Sequence, residues 1–131
     1  MLHVLIRTIV APYQGDPPRI VVAGIDWALG PTAVTSLALL FNEFATNAAK
    51  YGSLSTPDGF VAVTYSQQGD RIHMVWAERG GLGVSSPDGS EGFGSFLARG
   101  VVQQYDGDLI RDWRRDGLVV RVTVRADRLK N

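Results

Sequence analysis

"GPTAVTSLALLFNEFATNAAKYG", residues 30–52, decides the fold. Leu37, Phe41, Phe44 and Ala48 recur at the helical period, and Leu40 and Ala45 widen the stripe. Pro31 suits the first helical position, and Gly52 suits the left-handed position just past the end. The spacing therefore predicts one long helix with a core-facing stripe. The polar residues near its end are less ordinary. At about 100° per residue, Glu43, Asn47 and Lys50 fall within roughly 40–60° of one another. They form a narrow line about a quarter-turn or more from the apolar stripe, so they can border a core and face a cleft. An Asn carbonyl oxygen suits a hard cation, Lys offers a point charge for phosphate, and Glu offers a base or a hold on metal-bound water. The competing reading is a solvated flank with ordinary i, i+4 pairing.

Working outward, residues 2–10 place Leu2, Leu5, Ile6, Ile9 and Val10 at helical spacing, closed by Pro12. A strand is the competing reading there. "RIVVAG" (19–24) reads as a buried strand. "FVAVTYSQQGDRIHMVWAE" contains two alternating segments, 59–67 and 71–78, around a Gly-Asp turn, which predicts a β-hairpin. "SFLARGVVQQY" (95–105) reads as a short helix. "LIRDWRR", "DG" and "LVVRVTVRA" read as a second hairpin. This order predicts an α+β two-layer sandwich, an antiparallel-rich sheet covered by helices on one face.

The bulk numbers remove several function classes. A chain of 131 residues suits one domain, here taken as 1–131, and 45% hydrophobic with 20% charged residues is ordinary for a globular protein. Thirteen basic and thirteen acidic residues give a formal net charge of zero, which argues against a nucleic-acid partner. The absence of cysteine excludes a disulfide scaffold and Cys-ligated zinc, and it fits a cytoplasmic setting. His3 and His73 lie too far apart in sequence to suggest a His-based metal cluster. No segment approaches the roughly 18 apolar residues of a membrane span, and the opening "MLHVLIRTIVAPY" lacks the basic start of a signal peptide.

Glycine supplies the second chemical signal. "WAERGGLG" follows a strand, so Glu78 emerges at a sheet end before the backbone turns on Gly80 and Gly81. "RGGLGVSSPDGSEGFG", sixteen residues with no period, ends where "GFGS" opens a helix. Loops of that length in a compact domain are usually functional. Glycine there removes Cβ and lets backbone N–H groups approach phosphate oxygens at a helix N-terminus.

Together "NEFATNAAKYGSLS", "WAERGG" and "GFGSFLARGVVQQYDGDLIRDWRRDGLVVRVTV" resemble the ATP-binding domain of HWE-type sensor histidine kinases, within the GHKL superfamily, over about residues 5–125. The resemblance implies the GHKL, or Bergerat, fold, with a mixed, mainly antiparallel sheet. It implies ATP and Mg²⁺ as ligands, with Asn47 holding the metal that bridges the phosphates. Glu43 matches the acidic position that activates water in the ATPase members. Lys50 would contact phosphate, and Tyr51 would line the site. Glu78 would accept the adenine amino group, and Gly80 and Gly81 would pass close to the base. Gly92, Gly94 and Ser95 would lie at the phosphates, and residues 82–91 would form a lid that nucleotide orders. Trp76 and Glu78 supply the W and E of the family name.

This chain departs from the pattern at two positions. Asn42 stands where the family has its histidine and cannot titrate, and Phe96 stands where relatives carry Arg, so one phosphate or lid contact is lost. The resemblance further implies phosphoryl transfer to a histidine on an upstream dimerising helical hairpin, absent from these residues, and then to a response-regulator receiver domain. The full-length protein is expected to be a homodimer, attached to a membrane only through segments not in this sequence. His3 and His73 read as packing or surface residues rather than acceptors. A stand-alone ATPase or anti-sigma-type serine kinase is the alternative enzyme, and a degenerate nucleotide-sensing or protein-binding module is the alternative outside enzymes.

Overall fold

Trp76 marks the centre of the molecule and shows how the layers meet. The computed structural model describes residues 1–15, 17–80 and 93–130, and of residues 93–96 the backbone alone. Helix α1 is Leu2–Val10, strand β1 Ile20–Gly24, helix α2 Pro31–Lys50, strands β2 Phe60–Gln68 and β3 Arg71–Arg79, helix α3 Phe93–Gln104, and strands β4 Asp108–Arg114 and β5 Gly117–Arg125. Short 3₁₀ turns cover Ala11–Tyr13, Ser53–Ser55 and Ala126–Lys130. The five strands lie in the order β1-β2-β3-β5-β4. β1 runs parallel to β2, and the other pairs are antiparallel. The expected mixed, mainly antiparallel sheet is thus present.

The alternation of β3 explains the one-sided burial. Ile72, Met74, Trp76 and Glu78 are buried, while His73, Val75 and Ala77 between them are only half-buried. A period of two puts every second side chain on the helix-covered face. Register then places Trp76 between Val63 of β2 and Val120 of β5. Above it lie Phe41 and Phe44 of α2, with ring centroids 6.4 Å and 5.8 Å from the indole. The whole predicted stripe of α2 is buried. Leu2, Ile6 and Val10 of α1 join the same core, so the helical reading of 2–10 holds.

Three local expectations need correction. β1 is an edge strand, not a buried one: Ile20 is buried, but Val21 is 58% exposed. A run of β-branched residues has the same appearance in an edge strand and in one covered on both faces. The turn of the second hairpin falls on Arg115-Asp116, one residue earlier than "DG", because Arg114 pairs directly with Gly117. Finally, Gly52 is not in the left-handed region. Its φ of −108° and ψ of −151° are extended, and the reason for glycine there lies in the site below.

Candidate nucleotide site

Helix α2 delivers the polar line to one end of the sheet. Asn47 and Glu43 are half-buried, one turn apart, and the Asn47 amide nitrogen donates to Glu43 Oε1 at 2.9 Å. That bond uses the nitrogen, so the carbonyl oxygen is the end of Asn47 left for a cation. Lys50 and Tyr51 close the helix and are exposed, Tyr51 at 69%. Neither packs into the core, so both can meet a ligand.

The chain then turns back toward β3. The N–H groups of Tyr51 and Gly52 donate to the carbonyls of Asn47 and Ala48 at 2.8 and 3.0 Å, finishing the helix. Ser53 N–H donates to Glu78 Oε1 at 3.1 Å. The other carboxylate oxygen accepts from the Trp76 indole at 3.0 Å. Glu78 is 2% exposed. Burial pushes its pKa above the ordinary carboxylate value, against the pull of the Ser53 and Trp76 hydrogen bonds.

Glycine at 52 is required by this approach. A Cβ there would stand 2.0 Å from Glu78 Oε1 and 3.1 Å from the Ala48 Cα. Gly52→Ala should therefore push the Glu78 carboxylate off its two donors and lower stability by about 1–3 kcal/mol, as overpacking does. Urea unfolding measures the cost, and an unchanged midpoint would refute the close-approach explanation.

Gly80 follows with φ of +73°, a left-handed conformation that side chains rarely adopt. Its N–H donates to Asp116 O at 3.0 Å, and its carbonyl accepts from Thr56 Oγ1 at 3.1 Å. Gly94 and Ser95 lie in the first turn of α3, where helix N–H groups have no intrahelical partner. Gly81 and Gly92 lie outside the described residues, as does the stretch 82–91 expected to form a lid.

The structure thus brings Glu43, Asn47, Lys50, Tyr51 and Glu78 to one end of the sheet, connected through Gly52 and Ser53. The donor set suits an adenine nucleotide carried with magnesium. Among the described residues no three His, Asp or Glu side chains gather to hold a metal by themselves. An Asn carbonyl beside a carboxylate suits Mg²⁺, which takes few protein ligands and completes its shell with phosphate and water. Ser53 Oγ, buried beside Glu78, has no hydrogen-bond partner among the described residues. It is a polar atom that a purine edge, or water bridging to one, would satisfy.

The two histidines lie elsewhere. His3 packs edge-on against Tyr65, with its Nε2 3.4 Å from the phenol oxygen. His73 places Nδ1 3.4 Å from Thr123 Oγ1 on the half-buried side of the sheet.

Reading the sequence missed the parts that hold Glu78. The Trp76–Glu78 bond was legible in principle, since residues two apart on a strand share a face. Ser53 carried no signal at all.

This fold is that of histidine kinase catalytic domains. The histidine kinase domain of the blue-light-activated kinase EL346 from Erythrobacter litoralis superposes with a TM-score of 0.78 at 18% identity, covering 95% of this chain and 58% of that one. The catalytic domain of histidine kinase ThkA matches with a TM-score of 0.72 at 15% identity, over 95% of this chain and 92% of that one.

By sequence the chain is homologous to the blue-light-activated histidine kinases. It is 34% identical over 123 residues to blue-light-activated histidine kinase 1 of Erythrobacter litoralis, a match covering 92% of this chain. The chain spans about a third of that relative's length, 34%. No family model matches the chain.

Proposed function

We propose that the chain is the ATP-binding catalytic part of a bacterial two-component sensor histidine kinase, of the HWE type. It binds Mg·ATP and presents the γ-phosphoryl group to a histidine on a separate, dimerising helical domain. The observation that carries this reading is the link from the Asn47–Glu43 pair, through Gly52 and Ser53, to the buried Glu78 carboxylate. In transfer, the bond from the γ-phosphorus to the β–γ bridging oxygen breaks, a bond to an imidazole nitrogen forms, and ADP departs. Magnesium supplies charge neutralisation at the phosphates when bound. The protein's own contribution is positioning: Asn47 would orient the cation, Lys50 would face phosphate, and Glu78 would read the base. A response-regulator receiver domain is the downstream partner, and the full-length protein is a homodimer working in the cytoplasm. No helix of the described residues is long and apolar enough to cross a membrane.

The test is transfer from γ-labelled ATP. The chain alone should bind ATP and leave His3 and His73 unlabelled, because neither stands at the proposed phosphate end. Adding a helical hairpin domain with an acceptor histidine from a related kinase should give acid-labile label on that histidine. Failure to bind ATP, or stoichiometric label on His3 or His73, would overturn the reading. Phosphate release unaffected by any hairpin would favour the stand-alone ATPase.

Base choice follows from Glu78. A carboxylate accepts from the adenine amino group, whereas guanine turns a carbonyl toward it. The mismatch should favour ATP over GTP by about 1–3 kcal/mol. Glu78→Gln can donate as well as accept, so it should narrow that preference. The pH dependence has two opposite signs. Protonating Glu78 weakens it as an acceptor and gives it a hydrogen to donate, so adenine affinity should fall on acidification, beginning above the ordinary carboxylate range because the pKa is raised. Folding linkage runs the other way. The folded chain takes up this proton before the unfolded chain does, so Glu78 should add stability as pH falls through its raised value. Melting and ATP titration across pH, each compared with Glu78→Gln, measure both slopes. Parallel slopes for parent and variant would exclude Glu78 as the titrating group.

A further inference from the structure

Arg19 lies outside every motif that points to nucleotide, on the turn into β1, yet its guanidinium is spent on one segment of the site. Nε donates to Gly59 O at 3.0 Å, Nη1 to Leu54 O at 3.5 Å, and Nη2 to Ser53 O at 3.2 Å and to Thr56 O. One planar fork therefore gathers four carbonyls of the segment 53–59. A lysine, with a single point charge, cannot reproduce that spread. Arg19 is itself anchored, since Gln14 Oε1 accepts from the backbone N–H groups of Arg19 and Ile20, both at 3.0 Å.

The same segment is what holds the base-reading end of β3. Ser53, whose carbonyl faces Arg19, donates its N–H to Glu78. Thr56 Oγ1 lies 3.2 Å from Ser53 O and 3.1 Å from Gly80 O. The path is thus Arg19 to the Ser53 and Thr56 carbonyls, then through Ser53 N–H and Thr56 Oγ1 to Glu78 and Gly80. Without the guanidinium, four carbonyls of a tight turn would turn toward water, and the Ser53 N–H would lose its fixed direction.

We infer that Arg19 is a positioning residue for adenine selection, holding the 53–59 segment so that Ser53 fixes the Glu78 carboxylate. This rests on the nucleotide reading above, but the positioning itself is measurable without nucleotide.

The experiment uses the ¹⁵N-labelled 131-residue chain and its Arg19→Ala and Arg19→Lys variants, with Ile6→Val as a core change away from the segment. Three readouts are followed: amide exchange at Ser53, the Trp76 indole N–H resonance, and the ratio of ATP to GTP affinity. Arg19→Ala should speed Ser53 exchange, shift the indole resonance and reduce the affinity ratio by roughly tenfold, the scale of a lost hydrogen bond to a charged group. Arg19→Lys should fall between parent and Ala. Ile6→Val should lower the melting temperature and leave all three unchanged. A folded Arg19→Ala chain with all three at parent values overturns the inference. If Arg19→Ala does not fold, Arg19→Lys and Thr56→Val carry the same readouts, and parent values in both overturn it equally. A parent chain that fails to bind ATP sinks the nucleotide reading instead, and the Ser53 and Trp76 signals still decide whether Arg19 positions Glu78.

Discussion

Asn47→Ala should weaken Mg·ATP binding by at least the roughly 10- to 100-fold that follows loss of even an outer metal partner, while the fold survives. Asn47 is half-buried and sits off the Leu37/Phe41/Phe44/Ala48 stripe, so truncating it opens no cavity in the core. Its amide nitrogen is taken by Glu43, and in the proposed site its carbonyl oxygen would be the end offered to a cation. Asn47→Asp should fail in a different way. It retains a hard oxygen but places a second carboxylate at hydrogen-bond spacing from Glu43, and like charges one turn apart repel. Magnesium could offset part of that repulsion, so Asn47→Asp should suffer less with metal than without it. Calorimetric titration with ATP, with and without Mg²⁺, separates the cases. An Asn47→Ala chain that binds Mg·ATP like the parent would remove Asn47 from the site.

The second large effect concerns stability. Trp76 is 1% exposed, lies between Val63 and Val120 in the sheet, and meets Phe41 and Phe44. Trp76→Ala should cost about 3–5 kcal/mol for the cavity alone. It also removes one of the two donors to the buried Glu78 carboxylate, a further penalty of about 1–3 kcal/mol. Against a total stability of about 5–15 kcal/mol for a domain, that is a large share, and at the lower end of the range it would unfold the chain. Trp76→Phe separates the two contributions, because a ring still occupies the layer but the indole N–H is gone. It should destabilise less than Ala and raise the Glu78 pKa further. Urea midpoints test this: equal midpoints for the two variants would mean that ring volume does not matter as described, and a Trp76→Phe midpoint equal to the parent's would mean that the hydrogen bond to Glu78 does not.

Both effects join parts of the protein that differed in how plainly the sequence displayed them. The stripe on α2, the polar line of Glu43, Asn47 and Lys50, and both hairpins were legible because each obeys a local period, 3.6 or 2, imposed by burial of one face. Even the inward aim of Glu78 follows from its phase with Ile72, Met74 and Trp76. Other features depend on which segments the sheet order brings together. β1 reads as buried, but its place at the end of the order β1-β2-β3-β5-β4 leaves Val21 in solvent. Gly52 resembles a helix stop by sequence, yet its lack of a side chain makes room for a carboxylate 26 positions away, Glu78. Arg19 looks like an ordinary charge before a strand, but it reaches carbonyls 34 to 40 residues further on. Periodicity records only which face of an element is covered. The partner on that face comes from chain crossing and register, so the helix and its polar line with Asn47 were determined locally, whereas the hold on Glu78 was decided by the tertiary structure.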